Sequence, residues 1–393
     1  MTEHAAPADV ESPGGEHSLG PVSESSRIEV MDILRGFALV GIIFMNVEWF
    51  SRSSIELGSF DTSLTGLDHA AGWLVRCFVE GKFYKLFTLL FGMGFTVMLL
   101  RAQEAGRPFA AWFSRRMAVL LLFGLGHAVF IWNGDILATY AVGGFAFLLW
   151  IHLFRKPRLR RFNNPRSFLK IGIVWLVIPI FLASIAGMGY SLTTDDAALE
   201  QSWQEDVEIA RIVDERLAEP VEEAADESTE SDADEDVVEE EIEDDRELTD
   251  EELRDQRIED TVERKRKREA QVAEEESTLA EGSYLDGTRL RLSKVPETLG
   301  QSVAFALFMM VPICLIGYWF VVSGVLRNHR QHRTLFRNMA WIGTTLGFTL
   351  SVGGLMILQH PAAGISRSLA PIGGMLFHFS QFLMSAGYLG IVV

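Results

Sequence analysis

The side chains placed to do chemistry in this sequence are Asp32, Arg35, Asn46, Lys82, Arg116, His127 and Asp135. All lie in or beside long apolar runs, where a polar group is costly enough to need a partner or a task. Arg35 and Asn46 are eleven residues apart, as are Arg116 and His127, and eleven residues make about three helical turns. Each pair therefore shares a helix face, with an arginine at one end and a hydrogen-bonding group about 16 Å further along. At about 100° per residue, Asp32 joins Arg35 and Asn46 on that face. Asp135 follows His127 across Asn133-Gly134, so a helical hairpin would bring the two together near one surface. A carboxylate beside an imidazole fixes its tautomer and tunes it as a general base. Arginine and lysine at a helix mouth would hold phosphate or carboxylate groups.

Each residue also has a plainer reading. Arg115 and Arg116 are what a cytoplasmic helix end carries for orientation alone. Asp135, directly after Asn-Gly, suits a helix N-cap. His127 between Gly124 and Gly126, and Asn46 likewise, would serve as hydrogen-bonding glue between helices. Asp32 and Arg35 would satisfy each other near a membrane interface.

The elements that must position these groups are membrane-crossing helices. The chain of 393 residues is 48% hydrophobic yet has a net charge of −18. Residues 195–281 hold 37 acidic and 10 basic residues, a net of −27, which leaves +9 on the rest. An acidic insert thus interrupts a mildly basic membrane protein. Its acidity sets the low pI and points to no nucleic-acid partner. Apolar runs at 31–50, 73–100, 117–132, 135–154, 168–192, 299–326, 338–358 and from 371 onward predict about eight spans. The second run is interrupted by Glu80, Gly81, Lys82 and Lys85, which predicts a tilted or interfacial lead-in followed by a span. Gly92-Met93-Gly94 reads as a packing notch.

The fold class that follows is all-α: a polytopic transmembrane helix bundle with a long acidic, mostly disordered extracytoplasmic insert. Residues 1–26 read as a disordered tail, 27–194 as a first transmembrane domain and 195–282 as the low-complexity insert. Within the insert, 248–276 reads as a solvated single helix with acid-first i,i+4 pairs. Residues 283–393 form a last transmembrane part, which stops inside an apolar run and reads as truncated. Arg- and Lys-rich links follow spans two, four and six, placing the N-terminus in the cytoplasm, the insert outside and the protein in the plasma membrane. Arginine outnumbers lysine 28 to 7, which with the acidity points to a halophile. Cys77 and Cys314 read as packing residues, no histidines share a metal-ligand spacing, and phosphate- or dinucleotide-binding fingerprints are absent.

Three stretches, DILRGFALVGIIFMN, GKFYKLFTLLFGMGF and RRMAVLLLFGLGHAVFIWNGDILATYAVGG, resemble in order and spacing the YeiB-like family of membrane proteins, domain of unknown function 418. The resemblance covers about residues 27–154, and 299–393 more weakly. It implies kinship with transmembrane acyltransferases, which also open on an Asp-x-x-Arg-Gly helix. It also implies that Arg35 belongs to the donor-binding or core-lining set and that His127 and Asp135 form the family's His-x(7)-Asp pattern. Where the type-3 acyltransferases carry a histidine, this chain has Asn46, and His69 does not fit the distant enzymes' catalytic spacing. The expected function is acyl transfer from a cytoplasmic donor such as acyl-CoA to an unknown acceptor. Arg35, Lys82 and Arg116 would form one cationic inner mouth, and His127 would act as base. A transporter for a small metabolite or anion, and a scaffold built around the insert, are the alternatives. The bilayer is a partner in all three.

Overall fold

A chain buried in lipid must satisfy its backbone polar groups internally, and helices do so segment by segment. The computed structural model describes residues 28–50, 52–56, 58, 64–134, 136–154, 164–219 and 249–393, and among these it contains helices and no strands. The helices are α1 (Glu29–Phe50), α2 (Gly66–Phe78), α3 (Lys82–Glu104), α4 (Phe109–Phe130), α5 (Leu137–Phe154) and α6 (Pro165–Thr193). They continue as α7 (Asp196–Ala218), α8 (Asp250–Ala280), α9 (Tyr284–Phe305), α10 (Val311–Val322), α11 (Arg333–Leu358) and α12 (Leu369–Val392). Among the described residues, eight candidate spans are long and apolar enough to cross a membrane, α2–α3 and α9–α10 each counting as one. Their outer faces leave Ile43, Phe44, Leu122, Phe123 and Trp341 61–71% exposed. An apolar belt of that kind suits lipid rather than water. The chain is a multi-pass membrane protein.

Two spans differ in shape from simple rods. The second begins as the lead-in α2, turns at residues 79–81 and continues as α3. The sixth starts well before residue 299, at Tyr284, because its polar first half is capped. Ser283 and Asp286 exchange side-chain and backbone hydrogen bonds there as a capping box. The helix widens to a π-turn at Ala306–Met310, where Val311 N–H reaches back to Ala306 O, immediately before Pro312. Pro312 has no N–H to give, so the wider turn absorbs the break.

Close packing in lipid relies on small residues, because tails are as apolar as the helices themselves. Gly92 of α3 lies on α10 so tightly that a Cβ there would sit 2.5 Å from Cys314 Cα. That is the notch expected at Gly92. The α11–α12 pair closes in the same way around Gly343 and Gly387. Cys77 and Cys314 are buried and unbridged.

Residues 220–248 and the N-terminal 27 residues lie outside the described residues. The flanks of the insert are helical, and α8 is not a solitary solvated helix. Ile209 and Val213 of α7, and Ile258 and Val262 of α8, each an i,i+4 pair, make matching stripes that pack together. Charges pair across the two helices at Arg254–Glu208 (3.1 Å), Arg257–Asp206 (2.8 Å) and Lys265–Asp214 (2.8 Å). The pair is tied to the bundle at its far end. Buried Glu275 of α8 accepts hydrogen bonds from Ser53 Oγ (2.6 Å) and Ser54 Oγ (2.7 Å) and pairs with Lys294 of α9 (2.9 Å).

Burial alone would raise the Glu275 pKa, but hydrogen bonds from Ser53, Lys294 and Ser54 outweigh it and hold the carboxyl below its ordinary value. A depressed docked-state value means the contact is complete above the ordinary glutamate value, about 4.3, and is lost as pH falls through the docked one. Glu275→Gln should therefore speed hydrogen exchange in α8 at neutral pH, whereas the wild type should show the same change only below about pH 4. Equal exchange in both proteins at neutral pH would contradict this docking.

Candidate functional site

The corner between α2 and α3 carries the densest buried polarity in the bundle. Gly81 makes the corner with φ +75°, a left-handed conformation that glycine alone adopts freely. A Cβ at Gly81 would also lie 2.3–2.5 Å from the Gln381 amide. The corner thus sets the start of α3, with its partial positive charge, against α12. Lys82 and Lys85 follow on the first turn of α3, 0% and 1% exposed.

Lys82 Nζ donates to Arg76 O (2.6 Å) and Ser351 Oγ (3.4 Å) and stands 4.6 Å over the Phe377 ring. Lys85 Nζ donates to Tyr84 Oη (3.2 Å) and to Gln381 Oε1, between the rings of Tyr84 and Phe382. Deeper along α3, Thr88 Oγ1 and Tyr140 Oη share a hydrogen bond (2.9 Å). Above the lysines runs a ladder of ion pairs. Arg76 reaches Glu80 (3.4 Å) and Glu48 (3.8 Å), and Arg52 reaches Glu48 (3.3 Å) and Glu56 (3.5 Å). The site therefore draws on α1, α2, α3, α11 and α12.

The expected residues are distributed differently. Arg35 pairs with Asp32 at 2.7 Å, both about half exposed, which matches the plainer reading of that pair. The Arg35 guanidinium lies beside Gly94, Gly41 beside the Phe83 ring, and Glu48 beside Arg76. The first two contacts run α1 antiparallel to α3, the third sets the end of α1 against α2, and together they place Arg35 about 18 Å from Lys82 along α3. A single mouth holding Arg35, Lys82 and Arg116 is therefore not formed: Lys82 belongs to the other end of the bundle. Asn46 is half-buried on the flank of α1. Arg116 is exposed and packs 5.0 Å over Trp112. His127 is half-buried in the last turn of α4, where Arg291 and Tyr284 of α9 bond the neighbouring carbonyls of Val129 and Phe130 (2.8 Å each). Helix α4 packs on α5 and α9, whereas Lys82 and Lys85 point to α11 and α12. Asp135 lies outside the described residues.

Lys85, Gln381, Glu48, Arg76 and Glu80 are site residues that sequence reasoning left aside. The signal for Lys85 and Glu80 was their interruption of an apolar run, and Gln381 interrupts another.

Three curated proteins are similar to part of this chain. One is the uncharacterized protein YxaH of Bacillus subtilis, 38% identical over 192 residues, 47% of this chain and 44% of the relative. An uncharacterized 39.9 kDa protein in the amylase 3' region of Bacillus acidopullulyticus is 31% identical over 179 residues, 44% of this chain and 49% of the relative. The uncharacterized protein YeiB of Escherichia coli is 25% identical over 182 residues, 45% of each chain. These similarities support a YeiB-like family. The chain spans about half the length of the curated relatives it matches. No family model matches the chain, and neither does any solved structure.

Because Gly81 is required both by its φ and by its contact with Gln381, Gly81→Ala should shift Gln381 off Lys85. The expected cost is about 1–3 kcal/mol, read as a lower melting temperature in detergent, and an unchanged melt would show that the corner is not under this constraint.

Proposed function

We propose that this multi-pass membrane protein binds a small anionic substrate inside its helix bundle, at Lys82 and Lys85. The reaction we assign is acyl transfer onto that substrate from a cytoplasmic donor, acyl-CoA being the donor class. The observation that carries the reading is the pair of buried lysines whose hydrogen-bond partners are all neutral. A carboxylate or phosphate supplies the counter-charge that those partners do not. The adjacent start of α3 adds its own attraction for an anion.

The cations then divide the work. Arg35, oriented by Asp32, and Arg116 occupy the end where the basic links lie, which the positive-inside rule assigns to the cytoplasm. There they meet the donor's phosphates. Asn46 lines the path along α1, and His127 with Asp135 is the general base of this proposal. A second reading, transport of the same anion, is favoured by the α2–α3 corner itself. A helix interrupted inside a bundle, with its positive end turned to the site, is how many carriers hold an anion.

Membranes carrying the full chain, incubated with labelled acetyl-CoA, should transfer label to an acceptor fraction. His127→Ala should lower the rate by about 10²-fold or more, and Lys85→Met should abolish it. Uptake of an anion into proteoliposomes without acyl-CoA, lost in Lys85→Met, would replace acyl transfer with transport.

A further inference from the structure

We propose that the outer face of α6 holds one anionic phospholipid, its headgroup on Arg166 and Lys170 and one acyl chain in the groove between α6 and the π-turn at Ala306–Met310. The groove has a volume of about 580 Å³ and is lined by Lys170, Val174, Trp175, Ile178, Leu182 and Phe308, so its walls are apolar except at one end. Irregular turns shape both walls. Pro179 interrupts the hydrogen bonding of α6, and the π-turn carries Phe308, 56% exposed, on the facing wall. The opposite face of α6 is already taken: a Cβ at Gly172 would lie 2.7 Å from Pro312 O of α10. This site stands apart from the anion site at Lys82 and Lys85 and does not rest on it.

The charged end decides the occupant. Arg166, Lys170, Val174, Ile178 and Leu182 form one i,i+4 row, so two exposed cations one turn apart head the apolar groove. Among the described residues neither meets a carboxylate. The flanking chain supplies none either, because between Asp135 and Asp195 the sequence has seven basic residues and no acidic one. Cations in the first turns of a helix oppose its dipole, so α6 itself gains nothing from them. A phosphate placed there is attracted by both cations and by the start of the helix, which is how basic sites beside spans hold anionic headgroups. The length fits as well. From Lys170 to Leu182 the row runs about 18 Å, against about 15 Å for one leaflet's half of the hydrocarbon core. A chain entering beside Lys170 is therefore housed along its whole length. A helix from a second copy fits less well. Close helix contacts in lipid use small residues, whereas these walls are Val, Ile, Trp, Leu and Phe, and a two-fold approach would set the two basic ends side by side.

The experiment is native mass spectrometry of the purified full chain in detergent, with palmitoyl-oleoyl phosphatidylglycerol or the matching phosphatidylcholine added at equal concentration. The wild type should retain a single phosphatidylglycerol, preferred over phosphatidylcholine by about tenfold or more, and free glycerol phosphate should not displace it. Arg166→Gln combined with Lys170→Gln should erase the preference. Val174→Trp, at a half-exposed position, fills the groove and keeps both cations, and it should lose the retained lipid. Equal retention of the two lipids by the wild type overturns the proposal, a result that needs no variant to fold. Displacement by glycerol phosphate overturns it in favour of a soluble anion, and unchanged retention in Val174→Trp overturns the groove as the place where the chain lies. A dimer that forms when lipid is withheld and is lost in Val174→Trp gives the groove to a second copy instead.

Discussion

Burying charge where water cannot follow is the constraint that organises this bundle. An ammonium or guanidinium inside lipid must find acceptors among the protein's own atoms. Lys82 and Lys85, both on the first turn of α3, cannot reach a common partner, so three other elements are drawn to them. α11 contributes Ser351, α12 contributes Gln381, and the end of α2 contributes the Arg76 carbonyl. Arg76 in turn recruits Glu48 from α1. One local requirement thereby fixes the relative positions of five helices.

The apolar packing serves the same arrangement. For α12 to present Gln381 to Lys85, α11 and α12 must run close together, and Gly343 and Gly387 remove the side chains that would hold them apart. For α3 to stay in register, α10 must lie directly on it, which Gly92 and Gly317 allow. A second polar node repeats the principle outside the membrane. Glu275 gathers Ser53, Ser54 and Lys294 and so ties α8 to the link after α1 and to α9. The Arg52 ladder lies in the same link as Ser53, so the insert helices and the buried corner share a short piece of chain.

Much of this fold could be read from sequence. The eight apolar runs correspond to the eight candidate spans among the described residues, and the polar residues at 80–85 foretold a lead-in followed by a long apolar helix. The site was less legible, and α1 shows why. Taking Asp32 as the reference put Arg35 and Asn46 on one face, but the buried stripe is Met31, Leu34, Ala38, Gly41 and Met45. Continued by three residues, that stripe reaches Glu48, the group that pairs with Arg76. Because the lipid-facing side is just as apolar, hydrophobicity cannot mark the inner face of such a helix, whereas small residues such as Ala38 and Gly41 can. The partners Ser351 and Gln381 come from chain positions far beyond Lys82, and no local spacing announces them.

The two sets of cations also bear on how such a protein would work. Arg35 and Asp32 neutralise each other at a half-exposed position, so they cost the fold little and are free to meet a solute at the surface. Lys82 and Lys85 lie about 18 Å and about 14 Å away along α3, fully enclosed and held by neutral groups. A surface pair of that kind suits a large polar molecule that stays largely in water. An enclosed pair suits a small anion that sheds its water on entering, because only strong charge-assisted contacts offset that desolvation. In acyl transfer the first description fits the donor and the second the acceptor, and the reacting atoms would have to meet between the two ends. In transport the enclosed pair alone would suffice. The distance between the two sets is therefore the structural quantity on which the choice of mechanism turns.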